Sequence, residues 1–151
     1  MLKSGDRAPD FTLKSVDGQP VGLRDLLNRG QLLLAFFKVS CPTCQYALPF
    51  LSRLKNENVV SVSQDDAAGT REFNKAFQVT VPTLLDSARE HYPVSNAYGL
   101  THVPAFYVIE PSGVIARAFQ GFSRVDLEEA AASFGKALFE SGEKTPEFRP
   151  G

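Results

Sequence analysis

The sequence predicts an α/β protein in which a mixed central sheet is flanked by helices, and three features of the chain carry that prediction. An uninterrupted apolar run, Leu32-Leu33-Leu34-Ala35-Phe36-Phe37, is too short for a helix of that hydrophobicity and reads as a central strand buried on both faces. Segments of helical periodicity alternate with further strand-like runs behind it, as a β-α-β opening requires. Near the end, two apolar runs joined by Glu110-Pro111-Ser112-Gly113 read as a hairpin with suitable turn chemistry.

Taken in order, the elements follow from local chemistry. Phe11-Thr12-Leu13 and Val21-Gly22-Leu23 flank Asp17-Gly18, the signature of a β-hairpin at the N-terminus. Arg24 to Asn28 suits one helical turn, stopped by Gly30. Leu32 to Val39 is the central strand. After the two cysteines, Ala47, Phe50, Leu51 and Leu54 fall on one helical face, with Pro49 inside the helix, where it removes a backbone hydrogen bond and predicts a kink. Val59 to Val62 is the next strand. A second helix carries Phe73, Ala76 and Phe77, with Asp66 or Gly69-Thr70 at its start. Thr83-Leu84-Leu85 is apolar but too short to show a period. His91 to Leu100 suits a short helix closed by Gly99. The hairpin pairs Ala105–Ile109 with Val114–Phe119. Ser123 with Asp126 resembles a capping box, and Leu127, Ala130, Ala131, Phe134 and Leu138 then line one face of a last helix. Residues 1–142 thus read as a single domain. Residues 143–151, polar, aperiodic and holding two prolines, read as a flexible tail.

Bulk properties narrow the function classes. The chain has 151 residues, enough for one well-buried core, with 43% apolar and 22% charged residues. A formal net charge of −1 with interspersed signs offers no electrostatic footprint for nucleic acid or an anionic membrane. Charged residues such as Lys3, Asp6, Arg7, Asp10 and Lys14 interrupt the first thirty positions, so no signal-peptide core fits there, and no run approaches a membrane span. The expected location is cytoplasmic, a reducing compartment in which paired thiols are more often catalytic than structural.

The chemistry concentrates at Cys41-Pro42-Thr43-Cys44, which holds both cysteines of the chain. A strand that delivers C-x-x-C to the first turn of a helix builds a reactive dithiol. The helix N-terminus points unpaired N–H groups and partial positive charge at the first sulfur, favouring its thiolate, and the second cysteine can close a short disulfide. Three blander readings compete. A zinc site would need His91 and His102, whose separation does not match finger spacing and which have no C-x-x-C of their own. Two ordinary buried cysteines, or a structural disulfide, fit less well at a strand-to-helix junction with so short a loop. The pattern implies no metal and no cofactor. Asp65-Asp66, ahead of the second helix, read as caps and solvated turn residues; Lys38 reads either as a charge that favours the Cys41 thiolate or as a solvated strand-end lysine, and His102 as an incidental neighbour of the site.

Several motifs together resemble the thioredoxin-fold redoxins, the group that includes TlpA-type thiol-disulfide oxidoreductases and the alkyl-hydroperoxide-reductase-like (AhpC/TSA) peroxiredoxins. These are Gly5-Asp6-Arg7-Ala8-Pro9-Asp10-Phe11-Thr12-Leu13 with Asp17-Gly18, similar to that group's N-terminal extension; Cys41-Pro42-Thr43-Cys44 with the helix proline Pro49; and Val103-Pro104-Ala105 ahead of the final hairpin. The resemblance covers Gly5 to about Gly142 and implies a thioredoxin-like fold with an N-terminal β-hairpin extension. It implies Cys41 as nucleophile, Cys44 as resolving thiol, and Pro42 and Thr43 as tuning positions between them. It also implies a cis-proline facing the sulfurs. Val81-Pro82-Thr83 and Val103-Pro104-Ala105 both offer one, and Pro104 is preferred because it opens the strand–turn–strand–helix end of the fold, with the Val103 backbone docking a partner segment.

The departures from the family pattern bear on chemistry. Ser40 stands where thioredoxins carry an aromatic residue, and the chain has no Trp. Ala35 and Ala47 occupy the two positions at which relatives place an acid able to take the resolving thiol's proton. The expected activity is thiol–disulfide exchange with partner proteins that carry disulfides or dithiols, supported by a thiol reductant. A thiol peroxidase is the alternative, but its P-x-x-x-T-x-x-C arrangement is absent. Counting back from Cys41 gives Lys38 and Leu34, and from Cys44 gives Cys41 and Phe37. A non-catalytic redox-sensing module of the same fold is the third reading.

Overall fold

An apolar run with no polar face has to be covered on both sides, and the computed structural model, which describes residues 1–151, places it so. Leu32–Phe37 (β3) lies inside a seven-stranded mixed sheet with all six residues buried. Its neighbours are Val59–Ser63 (β4), parallel to it, and Ala105–Ile109 (β6), antiparallel. Beyond β6 comes Ile115–Gln120 (β7), the second arm of the hairpin. Beyond β4 comes Thr83–Leu85 (β5), parallel, and then the N-terminal hairpin of Thr12–Ser15 (β1) and Pro20–Gly22 (β2). The sheet order is therefore β2-β1-β5-β4-β3-β6-β7. Three residues are too few to declare a period. β5 is a strand because β4 and β1 satisfy its two edges.

Alternation along the strands divides the core. Leu33, Ala35 and Phe37 of β3, with Phe106 and Val108 of β6, face three helices: Pro42–Leu51 (α2), Ala67–Ala76 (α3) and Arg124–Ala132 (α5). Leu32, Leu34 and Phe36, with Tyr107 and Ile109, face Leu23–Leu27 (α1), Pro93–Ala97 (α4) and the N-terminal segment. On that second face Tyr98 is enclosed by Phe11, Phe36 and Tyr107, and its hydroxyl donates to the Pro9 carbonyl at 2.8 Å.

Two elements depart from expectation. The last helix ends at Ala132 rather than reaching Leu138, because Gly135 takes φ +73° and the amides of Gly135 and Lys136 turn back onto the carbonyls of Ala132 and Ala131. Leu138 is buried from the loop that follows, not from a helix face. Phe50, expected among the core residues of α2, is only half-buried and packs its ring on Tyr46, Phe122 and Phe139.

The segment expected to be a loose tail is also placed. Arg53 binds Glu143 through two nitrogens at 2.7 and 2.8 Å, Arg124 donates to the Glu143 carbonyl and to Thr145, and Phe148–Arg149 (β9) pairs antiparallel with Phe122–Ser123 (β8). Composition alone misses this because each contact joins residues far apart in sequence.

Candidate active site

The site is built where β3 hands the chain to α2. Cys41 is the N-cap residue of α2, in extended geometry, and Pro42 opens the helix, where its missing N–H costs nothing. The Cys44 amide donates to Cys41 Sγ at 3.1 Å, so a helix N–H is aimed at the first sulfur. Cys41 is partly exposed and Cys44 wholly buried, and both are free thiols.

The loop Lys38–Ser40 that leads into the helix is tied from three directions. The Cys41 amide donates to the Lys38 carbonyl at 3.2 Å, the Gln45 side chain donates to the Val39 carbonyl at 3.0 Å, and the Val39 amide donates to Asp65 Oδ2 at 2.8 Å. Asp66 is the N-cap of α3, accepting from the Gly69 amide at 2.8 Å, as its sequence position suggests. Asp65 does more than the sequence indicates: it reaches back to the sulfur-bearing loop. Nothing local in the sequence signals that contact.

Around Cys44 the wall is apolar. Ala35 and Ala47, the positions without an acid, are fully buried beside it, with Phe37, Leu48 and Phe106 in the same cluster. Burial pushes the Cys44 thiol well above the ordinary thiol range, and hydrogen bonding to Cys41 and the nearby Asp65 carboxylate push in the same direction. Cys44 therefore holds its proton until that proton has somewhere to go.

The Val103 carbonyl lies 3.5 Å from Cys41 Sγ, within reach of the thiol. Val103–Pro104 is the only cis peptide bond of the chain. Pro82, the other candidate, sits just before β5, where its carbonyl accepts from the Ser61 amide at 2.9 Å. Cys41, Pro42, Thr43, Cys44, Val103 and Pro104 thus come together at one place, with Cys41 and Val103 62 residues apart in sequence. A cleft of about 460 Å³ opens there, lined by Cys41, Lys38, Tyr92, His102, Val103 and Gly151 among others. Lys38 points its ammonium over the Tyr92 ring at 5.7 Å. His102 is exposed and shares its Nδ1 with the Thr101 hydroxyl, while His91 lines no part of this cleft. No three His, Cys, Asp or Glu side chains are gathered where they could hold a metal ion.

Comparison with known proteins agrees in fold and kind. Residues 4–118 match the model of the AhpC/TSA family. A thiol-disulfide oxidoreductase ResA from Oceanobacillus iheyensis is 32% identical over 143 residues, spanning 85% of this chain and 71% of that protein. The thioredoxin domain of a thiol-disulfide oxidoreductase from Bacteroides vulgatus superposes with a TM-score of 0.73 at 21% identity, covering 89% of this chain and 99% of that one. The peroxidoxin BcpB of Mycobacterium tuberculosis gives a TM-score of 0.67 at 21% identity, with 91% and 95% covered. The thioredoxin-like fold is common to both kinds of relative, so the fold does not choose between exchange and peroxide chemistry.

Proposed function

The chain belongs to the AhpC/TSA family, and from that premise and the paired sulfurs we propose that it is a thiol-disulfide oxidoreductase acting on disulfides of partner proteins. The observation that carries this reading is the asymmetry of the pair: Cys41 is partly exposed and receives the Cys44 amide, whereas Cys44 is enclosed and holds its proton.

In the reductive direction the Cys41 thiolate attacks one sulfur of a partner disulfide. A Cys41–partner S–S bond forms, the partner's S–S bond breaks, and the second partner sulfur leaves as a thiolate. Cys44 then gives up its proton and attacks Cys41 Sγ. The Cys41–Cys44 disulfide closes, and the remaining partner sulfur departs. Two electrons have passed to the partner, which takes up two protons, and a thiol reductant resets the pair by the same steps. The proton that Cys44 gives up ends on a departing partner thiolate, so the exchange balances without a further acid or base. The Val103 backbone, next to Cys41, is the surface on which a partner segment lies extended beside its target. Pro42 and Thr43 tune the pair from within the helix start. Nothing near either sulfur matches the Thr and Pro positions that hold a peroxide's two oxygens, which favours exchange over peroxidation.

Cytoplasmic residence is part of the same reading, supported by cysteines confined to one redox motif. Cell fractionation tests it. Insulin-disulfide reduction with dithiothreitol, set beside hydrogen-peroxide consumption, tests the activity. Insulin turnover that depends on Cys41 and exceeds peroxide turnover is expected. Cys41-dependent peroxide consumption with negligible insulin turnover would replace exchange by the peroxidase.

A further inference from the structure

The groove that a partner would use already holds a piece of this chain. Beyond β9 the backbone runs across the start of α2. The Pro150 carbonyl accepts from Thr43 Oγ1 at 2.6 Å, which seats the segment on the dipeptide between the two cysteines. Gly151 then lies against the Val103–Pro104 peptide so closely that any side chain there would collide with the Val103 carbonyl. Val103 is the same group that flanks Cys41.

The passage is shaped for this segment. Gly121 has φ +76°, and a Cβ there would stand 2.6 Å from the Arg149 carbonyl and 3.1 Å from the Phe148 ring. The Arg149 guanidinium stacks 5.2 Å from the centre of the Tyr46 ring. We propose that residues Phe148–Gly151 are a self-bound strap that occupies the partner-peptide groove beside Cys41 and must lift for a partner disulfide to reach the sulfur. This rests on the exchange reading of the site.

The root and the tip of the strap are held differently. The root is fixed: Arg53 grips Glu143 through both carboxylate oxygens and holds its carboxyl down at about 2, while the Arg124 amide donates to the Glu147 carbonyl at 3.0 Å. The tip is superficial: Phe148 is 55% exposed, and Pro150 and Gly151 are exposed. A polar atom beside the tip is also unserved. Gln120 borders the same small hollow as His102, Phe148, Pro150 and Gly151, and its Oε1 is buried without a partner. Lifting the tip would return that oxygen to water. A fixed root with a weakly held tip describes a competitor of low intrinsic affinity kept at high local concentration.

The test compares the unmodified 151-residue protein with an Arg149→Ser, Gly151→Val double variant, which removes the stack on Tyr46 and adds a side chain where none fits. Two readouts are taken. In a Cys44→Ser background, the rate at which a bulky maleimide modifies Cys41 reports groove occupancy independently of any enzyme activity. In the parent background, kcat/KM is measured for insulin and for the small disulfide of 2-mercaptoethanol. The variant is expected to gain about threefold to tenfold in maleimide rate and in kcat/KM for insulin, the reciprocal of the open fraction, with a much smaller change on the small disulfide. A synthetic peptide of residues 147–151, added at millimolar concentration, is expected to reverse both gains. A second form lacking residues 146–151, checked for native circular dichroism, must behave as the double variant does. Equal maleimide rates and equal insulin kinetics in all three forms would overturn the strap. Faster maleimide modification with no insulin turnover in any form would keep the strap and remove the exchange reading.

Discussion

Cys44 is fully buried in the apolar cluster under α2 while Cys41 is partly exposed, and two measurable consequences follow at the scale of that residue. A Cys44→Ser variant keeps the partly exposed sulfur and loses the buried one proposed to resolve, so Cys41 should accumulate partner proteins as mixed disulfides, detectable as reducible adducts by mass spectrometry. Trapping by a Cys41→Ser variant instead would reverse the assignment. The second consequence is a pH dependence of stability. An unfolded thiol ionises near 9.0, whereas the folded Cys44 keeps its proton to higher pH. Above pH 9 the unfolded chain therefore binds fewer protons than the folded one, and stability falls as pH rises, the full contribution being present below pH 9. Urea midpoints of the reduced protein should decline as pH rises through 9, and the buried hydroxyls of Tyr98 and Tyr107, also pushed up by burial from an ordinary value of 10.0, add to the decline as pH approaches 10. Cys44→Ala should flatten that decline. The sequence discloses the two sulfurs and the helix start, since spacing and a preceding apolar run are local signals. It does not disclose Asp65, whose bond to the Val39 amide crosses 26 residues. An adjacent pair of aspartates looks the same in sequence whether one of them caps a helix or both face water.

At the scale of elements, helix α5 shows how a correct start and a misplaced end arise together. Ser123 accepts from the Asp126 amide at 3.3 Å and donates its own hydroxyl to the Asp126 carboxylate at 2.7 Å, an arrangement legible from two residues at capping distance. Arg117, from β7, then pairs with Asp126 and Glu129, binding the helix start to the sheet. Ser123→Ala should cost about 1 kcal/mol of unfolding free energy, read as a lower urea midpoint at unchanged slope. No change would mean that the Arg117 contacts alone hold the turn. The end of α5 was hidden because Phe134 and Leu138 continue the helical period even after Gly135 has turned the backbone away. Apolar spacing reports which residues are buried, and a loop can bury them as well as a helix can. β5 was ambiguous for the opposite reason: its identity comes from its neighbours.

At the scale of the whole molecule, the order of elements was readable and their lateral arrangement was not, because strand order is set by which apolar faces meet after the chain has turned. The insertion of β5 between β4 and the N-terminal hairpin is one such outcome. The two outermost strands raise a question of self-association, since an unpaired strand edge is a template for another chain. At one side β2 is only three residues long and begins with Pro20, which has no amide to offer. At the other side the N-terminal segment lies along the start of β7: the Gly5 amide donates to the Ile115 carbonyl at 2.8 Å, the Ile115 amide to Asp6, and the Ser4 hydroxyl to the Ala116 carbonyl. Those first residues therefore act as a selvedge, finishing a margin that would otherwise fray into contact with its neighbours. A form lacking residues 1–8 should keep its sulfurs and its dithiol chemistry but scatter light increasingly with concentration, and a monodisperse solution at high concentration would show that β7 needs no such cover. The consequence is selectivity of encounter: at the start of β7 the strand edge is already occupied, so a second copy of the chain finds less there to join.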